Sequence, residues 1–180
     1  GGKFECIGSV VSYLIGRYVQ GGNMTKIYLF DWGDTLMVDF PDQKGKMCDW
    51  VTVQAVDGAL RTLKELSKSH PVYIATNAAD SSETDIKLAF ERVGLSPYIS
   101  GYFCKANLGL GKGTSEFFHK IINALNVEPQ SIIMVGDTYE KDIEPAISAG
   151  IEAIWFNSKC TNNSVSKGVK QINHLLELCT

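Results

Sequence analysis

The segment Phe30-Asp31-Trp32-Gly33-Asp34-Thr35-Leu36 ends an apolar run in a carboxylate followed by a glycine turn. Three later sites also place polar residues beside apolar runs. They are Ala75-Thr76-Asn77-Ala78, Gly109-Leu110-Gly111-Lys112-Gly113, and Val135-Gly136-Asp137 with Asp142 five residues on. Taken alone, an Asp at such a position is usually a turn former or helix cap. As an ordered set these residues suit one chemistry. A carboxylate can attack a phosphoryl group only where their mutual repulsion is cancelled. That takes a divalent cation, a hydroxyl or amide donor, and a lysine around the transferring group. Asp31 is then the candidate nucleophile, and Asp137 a ligand for Mg²⁺, a hard cation that takes oxygen donors. Thr76, with Asn77 beside it, supplies a donor to a phosphoryl oxygen. Lys112 supplies the charge that offsets developing negative charge. Asp142 fits a metal ligand, or a carboxylate acting through a bound water or through Lys112.

These residues need a scaffold that gathers them. From Lys26 onward, short apolar runs alternate with amphipathic stretches, the pattern of βαβ units building a parallel sheet. The spacing predicts strands at Ile27–Asp31, Val72–Thr76, Ile99–Cys104, Ile132–Gly136 and Ala153–Asn157. It predicts helices at Val56–Lys68, Ser82–Val93, Ser115–Leu125, Ile143–Ala149 and Ser164–Leu178. The expected fold is a Rossmann-like three-layer α/β/α domain over residues 24–180, with a central, mostly parallel sheet of about five strands. Open sheets of this kind bind ligands outside the carboxyl ends of their strands, where these residues fall.

The ordered motifs from Asp31 to Asp142, continued by Ala146-Ile147-Ser148-Ala149-Gly150-Ile151 to about Asn157, resemble the haloacid dehalogenase superfamily. The resemblance covers about three quarters of the chain. It implies a Rossmann-like fold, Mg²⁺ dependence and an aspartyl-phosphate intermediate on Asp31. It also implies a metal ligand in the backbone carbonyl two residues after the nucleophile, here that of Gly33. Phosphatases of the family carry at that position a second Asp, which acts as general acid and then base. Here Gly33 occupies it and Asp34 follows. Asp34 could substitute if the chain turns sharply at Gly33, although a one-residue shift along an extended segment normally sends a side chain to the opposite face. A positioned acid contributes about 10²–10⁴-fold, so its loss predicts turnover biased toward activated leaving groups.

The leading expectation is a Mg²⁺-dependent phosphatase. Two alternatives stand beside it. One is a weak or inactive phosphate-binding member, because Gly33 lacks the assisting carboxylate. The other is metal-independent dehalogenation, because the dehalogenases of the family also lack that Asp. Neither the interval after Thr35 nor that between Asn77 and Lys112 has room for a cap domain. Residues 37–53 read as a short flap, with Lys44, Lys46 and Trp50 as candidate substrate contacts. An uncapped site suits a small phosphorylated metabolite enclosed by a neighbouring subunit, or a phosphate carried on a macromolecule.

Composition narrows the remaining classes. With 180 residues, 44% hydrophobic and 21% charged, the chain has the makeup of one ordinary globular domain. A net charge of −3 without a Lys/Arg stripe gives no nucleic-acid footprint. The apolar run 10–19 is too short to span a bilayer and contains Arg17, so residues 1–23 read as an N-terminal extension. The five cysteines are scattered and form no CxxC, which fits free thiols and a cytoplasmic setting. His70, His119 and His174 stand apart from the motifs, and Lys105 is a less suitable lysine than the Gly-flanked Lys112.

Overall fold

A computed structural model describes residues 25–162 and 168–180. Residues 1–24, with the apolar run 10–19 read above as part of an N-terminal extension, lie outside the described residues. Six strands, β1 Ile27–Phe30, β2 Val72–Ala75, β3 Gly101–Phe103, β4 Ile132–Gly136, β5 Glu152–Phe156 and β6 Lys170–Ile172, form one sheet in the order β3-β2-β1-β4-β5-β6. Every pairing is parallel. The helices are α1 Ala59–Leu66, α2 Glu83–Arg92, α3 Lys105–Leu108, α4 Ser115–Leu125 and α5 Glu144–Ser148. This is the Rossmann-like α/β fold expected from the sequence. No helix among the described residues is long and apolar enough to cross a membrane.

Alternating side chains along each strand build two cores, one on each face of the sheet. Phe30, Ile74, Val135 and Ile154 join Leu63 of α1, Phe90 of α2, and Leu175 and Leu178. Leu29, Tyr73, Met134 and Trp155 face the other way, onto Phe117, Phe118 and Ile121 of α4 and Ala146 of α5. Helix α2 starts where Ser82 accepts a hydrogen bond from the Asp85 backbone while Asp85 bonds back, a reciprocal cap.

The C-terminal expectation fails. Residues 164–167 of the helix expected over Ser164–Leu178 lie outside the described residues, and in the part described residues 170–172 form β6 and Leu175–Cys179 a short 3₁₀ helix. The amphipathic spacing there is real, but burial can be reached two ways. Pairing with β5 satisfies its free edge, and Ile172, Leu175 and Leu178 still reach the core. His174 then caps the 3₁₀ turn by accepting from Leu176 N at 3.1 Å.

The sheet changes direction between β1 and β4. Sequential strands run outward on one side through β2 to β3, and on the other through β5 to β6. A crevice opens at such a switch point, at the carboxyl ends of the two central strands. Residues 31–58, between β1 and α1, hold no cap domain. They hold one 3₁₀ turn at Met47–Asp49, and the loop is clipped at its base by Val38 N to Gln54 O at 2.8 Å and Val56 N to Leu36 O at 2.8 Å.

Candidate active site

Asp31 follows the last residue of β1, and its backbone N–H still bonds Val135 of β4 at 2.9 Å. The ladder thereby fixes the two central strand ends against each other, placing Asp31 beside Asp137. The Lys112 ammonium lies 2.5 Å from Asp31 Oδ1 and 2.8 Å from Asp142 Oδ1, with only 3% of its side chain exposed. Carboxylate oxygens of Asp31, Asp137 and Asp142 lie within 4.8 Å of one another.

Asp142 arrives through an unusual turn. Between β4 and α5 the chain makes a π-helical turn over Tyr139–Ile143, and Thr138 N–H donates to Asp142 Oδ2 at 3.0 Å. The carboxylate then rests against Gly136, where an added Cβ would stand 2.5 Å from the Cβ and Cγ of Asp142. Glycine is required there by close approach.

Three carboxylates against one ammonium leave an excess of negative charge in a poorly hydrated space, and the acidities show it. Burial pushes Asp31 up, but the Lys112 charge and hydrogen bonds from Asp137, Lys112 and the Trp32 backbone outweigh burial and hold it below the usual carboxylate range. Asp137 is pushed up to about 8 by burial, then by its hydrogen bond to Asp31 and the Asp31 charge. Burial and the Asp31 charge also raise Asp142, to about 6, against the pull of Lys112. A hard divalent cation among these oxygens would remove the repulsion, so the donor set fits Mg²⁺.

The cluster forms the floor of a cavity of about 310 Å³ lined by Asp31, Gly33, Thr76, Asn77, Lys112 and Asp142 among others. Asp137 lies beside this lining and contacts it through Thr35. Thr76 is buried, and its hydroxyl accepts from Ala78 N at 3.2 Å, which leaves its proton free for a ligand oxygen. The Asn77 side chain crosses to Gly111, on the lysine-bearing loop. Within the flap, Lys46 and Trp50 line the cavity and Lys44 does not. Arg92 of α2 secures that flap, donating to Cys48 O at 3.1 Å and Trp50 O at 2.6 Å.

Asp34 is not brought to this cavity. Its backbone sits in the left-handed region at φ 59°, and its exposed side chain accepts from Asp39 N at 3.0 Å. It lines a neighbouring depression with Asp137, Tyr139 and Asn157. The one-residue shift relative to Gly33 turns it away, and it serves as a turn former. Lys105 and His119 are exposed, and His70 and His174 bond elsewhere, to Lys26 O and Asp57.

Two residues passed over in the sequence belong to the site. Thr35, fully buried, places its hydroxyl 3.2 Å from both Asp31 Oδ2 and Asp137 Oδ1. Its place four residues after Asp31 in a tight turn was the available signal. Asp39 lines the cavity too, its carboxyl raised by partial burial and by the charges of Asp34 and Asp31.

A family model for haloacid dehalogenase-like hydrolases matches residues 33–150, starting just past Asp31. The chain belongs to this family. Among curated relatives, the pyrimidine 5'-nucleotidase PynA of Streptococcus pneumoniae is 31% identical over 106 residues, 58% of this chain and 44% of that protein. The chain thus spans less than half the length of that relative. A solved structure from Listeria monocytogenes superposes with a TM-score of 0.74 at 22% identity, covering 84% of this chain and 93% of that one. The Bacillus subtilis protein YfnB, in a structure bound to magnesium, gives a TM-score of 0.69 at 16% identity, covering 87% and 97%. At such identities the two structures speak to the fold alone.

Proposed function

We propose that this hydrolase is a Mg²⁺-dependent phosphatase working through a phosphoryl group carried on Asp31. The observation that supports this best is the joining of Asp31, Lys112 and Asp142 in one buried charged cluster, with Asp137 completing an oxygen site at the sheet's switch point. Asp31, Asp137 and the Gly33 carbonyl would hold the cation, with Asp142 as a ligand or a partner to a bound water. When bound, the ion neutralises the phosphoryl oxygens and the carboxylates facing them.

The chain's own residues supply the rest. Thr76 donates to a phosphoryl oxygen, and Asn77 borders the same space. Lys112 steadies Asp31 and the phosphoryl charge, with Asp142 holding the ammonium in place. An Asp31 oxygen bonds to phosphorus as the ester P–O bond breaks and the leaving oxygen takes up a proton. Water then attacks phosphorus, the P–O bond to Asp31 breaks, and phosphate departs.

The match to a pyrimidine 5'-nucleotidase makes nucleoside monophosphates a first substrate class to examine. The uncapped crevice also suits phosphate carried on a larger molecule. A second reading, phosphate binding without turnover, is favoured by Gly33, which offers no side chain to assist the leaving group.

Hydrolysis of an aryl phosphate and of nucleoside monophosphates by wild type and Asp31→Asn, with Mg²⁺ or with chelator, separates the readings. The phosphatase reading expects activity that needs both Mg²⁺ and Asp31. Phosphate binding with no turnover in either protein would favour the second reading, and halide release from a haloacid without metal would replace both.

A further inference from the structure

Gly33 leaves a gap where a side chain two residues past the nucleophile would begin, and the fold fills it from elsewhere. A Cβ built on Gly33 would stand 3.5 Å from Asp39 Cβ, 3.6 Å from Asp39 Oδ2 and 3.8 Å from Asp39 Cγ. The Asp39 carboxyl therefore borders the volume that a side chain at residue 33 would occupy, and it faces the cavity that holds Asp31, Thr76 and Lys112.

Asp39 is held there by the turn that displaces Asp34. The Asp34 N–H bonds Met37 O at 2.7 Å, and the Asp34 carboxylate receives the Asp39 N–H at 3.0 Å. On the preceding residue, Val38 N donates to Gln54 O at 2.8 Å. The Asp39 backbone is thus secured from two sides. Its carboxyl, on a residue exposed to solvent, makes no hydrogen bond or ion pair with any described residue, so it is free to meet a ligand that enters the cavity. The swap of Asp and Gly acquires a reason: Asp34 orients the segment, and the cleared space over Gly33 admits a carboxyl arriving six residues later.

We propose that Asp39 is the acid/base carboxyl of this hydrolase, acting from the flap in the place left by Gly33. The inference rests on the phosphatase reading. As the ester P–O bond breaks and the Asp31–phosphorus bond forms, Asp39 gives its proton to the leaving oxygen. As water bonds to phosphorus and the Asp31–phosphorus bond breaks, the Asp39 carboxylate takes a proton from that water, restoring its starting state. With this carboxyl present, poor leaving groups are substrates as well as activated ones.

The test compares hydrolysis of p-nitrophenyl phosphate and a primary alkyl phosphate, both with Mg²⁺, by wild type, Asp39→Asn, Asp39→Ser and the double variant Asp39→Asn/Gly33→Asp. Mg²⁺ affinity is measured by calorimetry on each protein. The expected result is a loss of about 10²-fold or more on the alkyl ester and under about tenfold on the aryl ester in both single variants, with Mg²⁺ affinity unchanged. The double variant, which returns a carboxyl to the same space from the other side, recovers at least tenfold on the alkyl ester. Equal losses on the two esters, or no loss on either, would overturn the role of Asp39 while leaving the phosphatase reading intact. A wild type inactive on both esters would overturn the phosphatase reading and this inference with it.

Discussion

Lys112 sits between two carboxylates with almost no exposure, so its ammonium is a fixed charge whose orientation needs no reorganisation when a phosphoryl group arrives. Lys112→Ala removes that charge and leaves Asp31 facing Asp137 and Asp142 without compensation. We expect kcat to fall by about 10²–10³-fold, in the range seen when one electrostatic stabiliser is lost. A fall shared equally by Lys105→Ala would contradict the placement of the two lysines. Thr35 acts through its neighbours. Its hydroxyl lies between Asp31 and Asp137, the oxygen 3.2 Å from a carboxylate oxygen of each, so Thr35→Val keeps the shape and deletes the link. The expected outcome is Mg²⁺ affinity weaker by about 10–100-fold, read by titration calorimetry. An unchanged affinity would restrict Thr35 to packing.

Local elements carry the site by bringing backbone and carboxylate unusually close. The π-helical turn over Tyr139–Ile143 brings Asp142 back over Gly136, into space that any Cβ would occupy. Gly136→Ala therefore forces β4 and the turn apart, an overpacking that costs about 1–3 kcal/mol. It should lower thermal stability and Mg²⁺ affinity together, and a melting temperature equal to wild type would show that the turn can yield. The flap is positioned by α2 through Arg92, with the exposed pair Lys46–Asp85 at 2.8 Å adding a contact of small energy. Arg92→Ala frees the segment that carries Lys46 and Trp50 over the cavity. The expected result is a several-fold rise in KM with Mg²⁺ affinity retained, since no metal-site oxygen touches Arg92.

At the scale of the whole molecule, the gathered carboxylates make stability depend on pH and on the cation. Asp137 and Asp142 are raised in the folded chain to about 8 and about 6 from an ordinary value of 3.8. Between those values the folded chain holds more protons than the unfolded one, so the stability they contribute is present in full below about pH 4 and is lost as pH rises toward 8. Asp31 is lowered and acts with the opposite sign, but its contribution changes only below 3.8, outside that window. In chelator, the melting temperature should fall from pH 5 to pH 8. Mg²⁺, binding the folded form alone, should flatten that fall by mass action. A chelated protein with a level profile across this range would show that the three carboxylates do not share one poorly hydrated space.

The order of the motifs was legible because chemistry in a parallel α/β sheet gathers at strand ends, and a strand end is a local feature: an apolar run that stops at Asp31, Thr76 or Asp137. Helices α1, α2, α4 and α5 followed from their periodicity, since each buries one stripe against a sheet face, whereas the short α3 was not expected. Three things needed the folded chain. Residues 170–172 took the free edge of β5 although an amphipathic helix was expected, because both outcomes bury Ile172, Leu175 and Leu178 and only tertiary pairing distinguishes them. The direction of Asp34 depended on one backbone angle, φ 59°, which turns its carboxyl out of the cavity. The approach of Asp39 to Gly33 depended on a loop closing through hydrogen bonds between residues far apart in sequence, from Val38 to Gln54 and from Val56 to Leu36. The sequence by itself determined the motif residues Asp31, Thr76, Lys112, Asp137 and Asp142 and the sheet that presents them. Only the tertiary structure decided which carboxyl stands over Gly33, because that position is set by a turn and a loop closure that no local periodicity records.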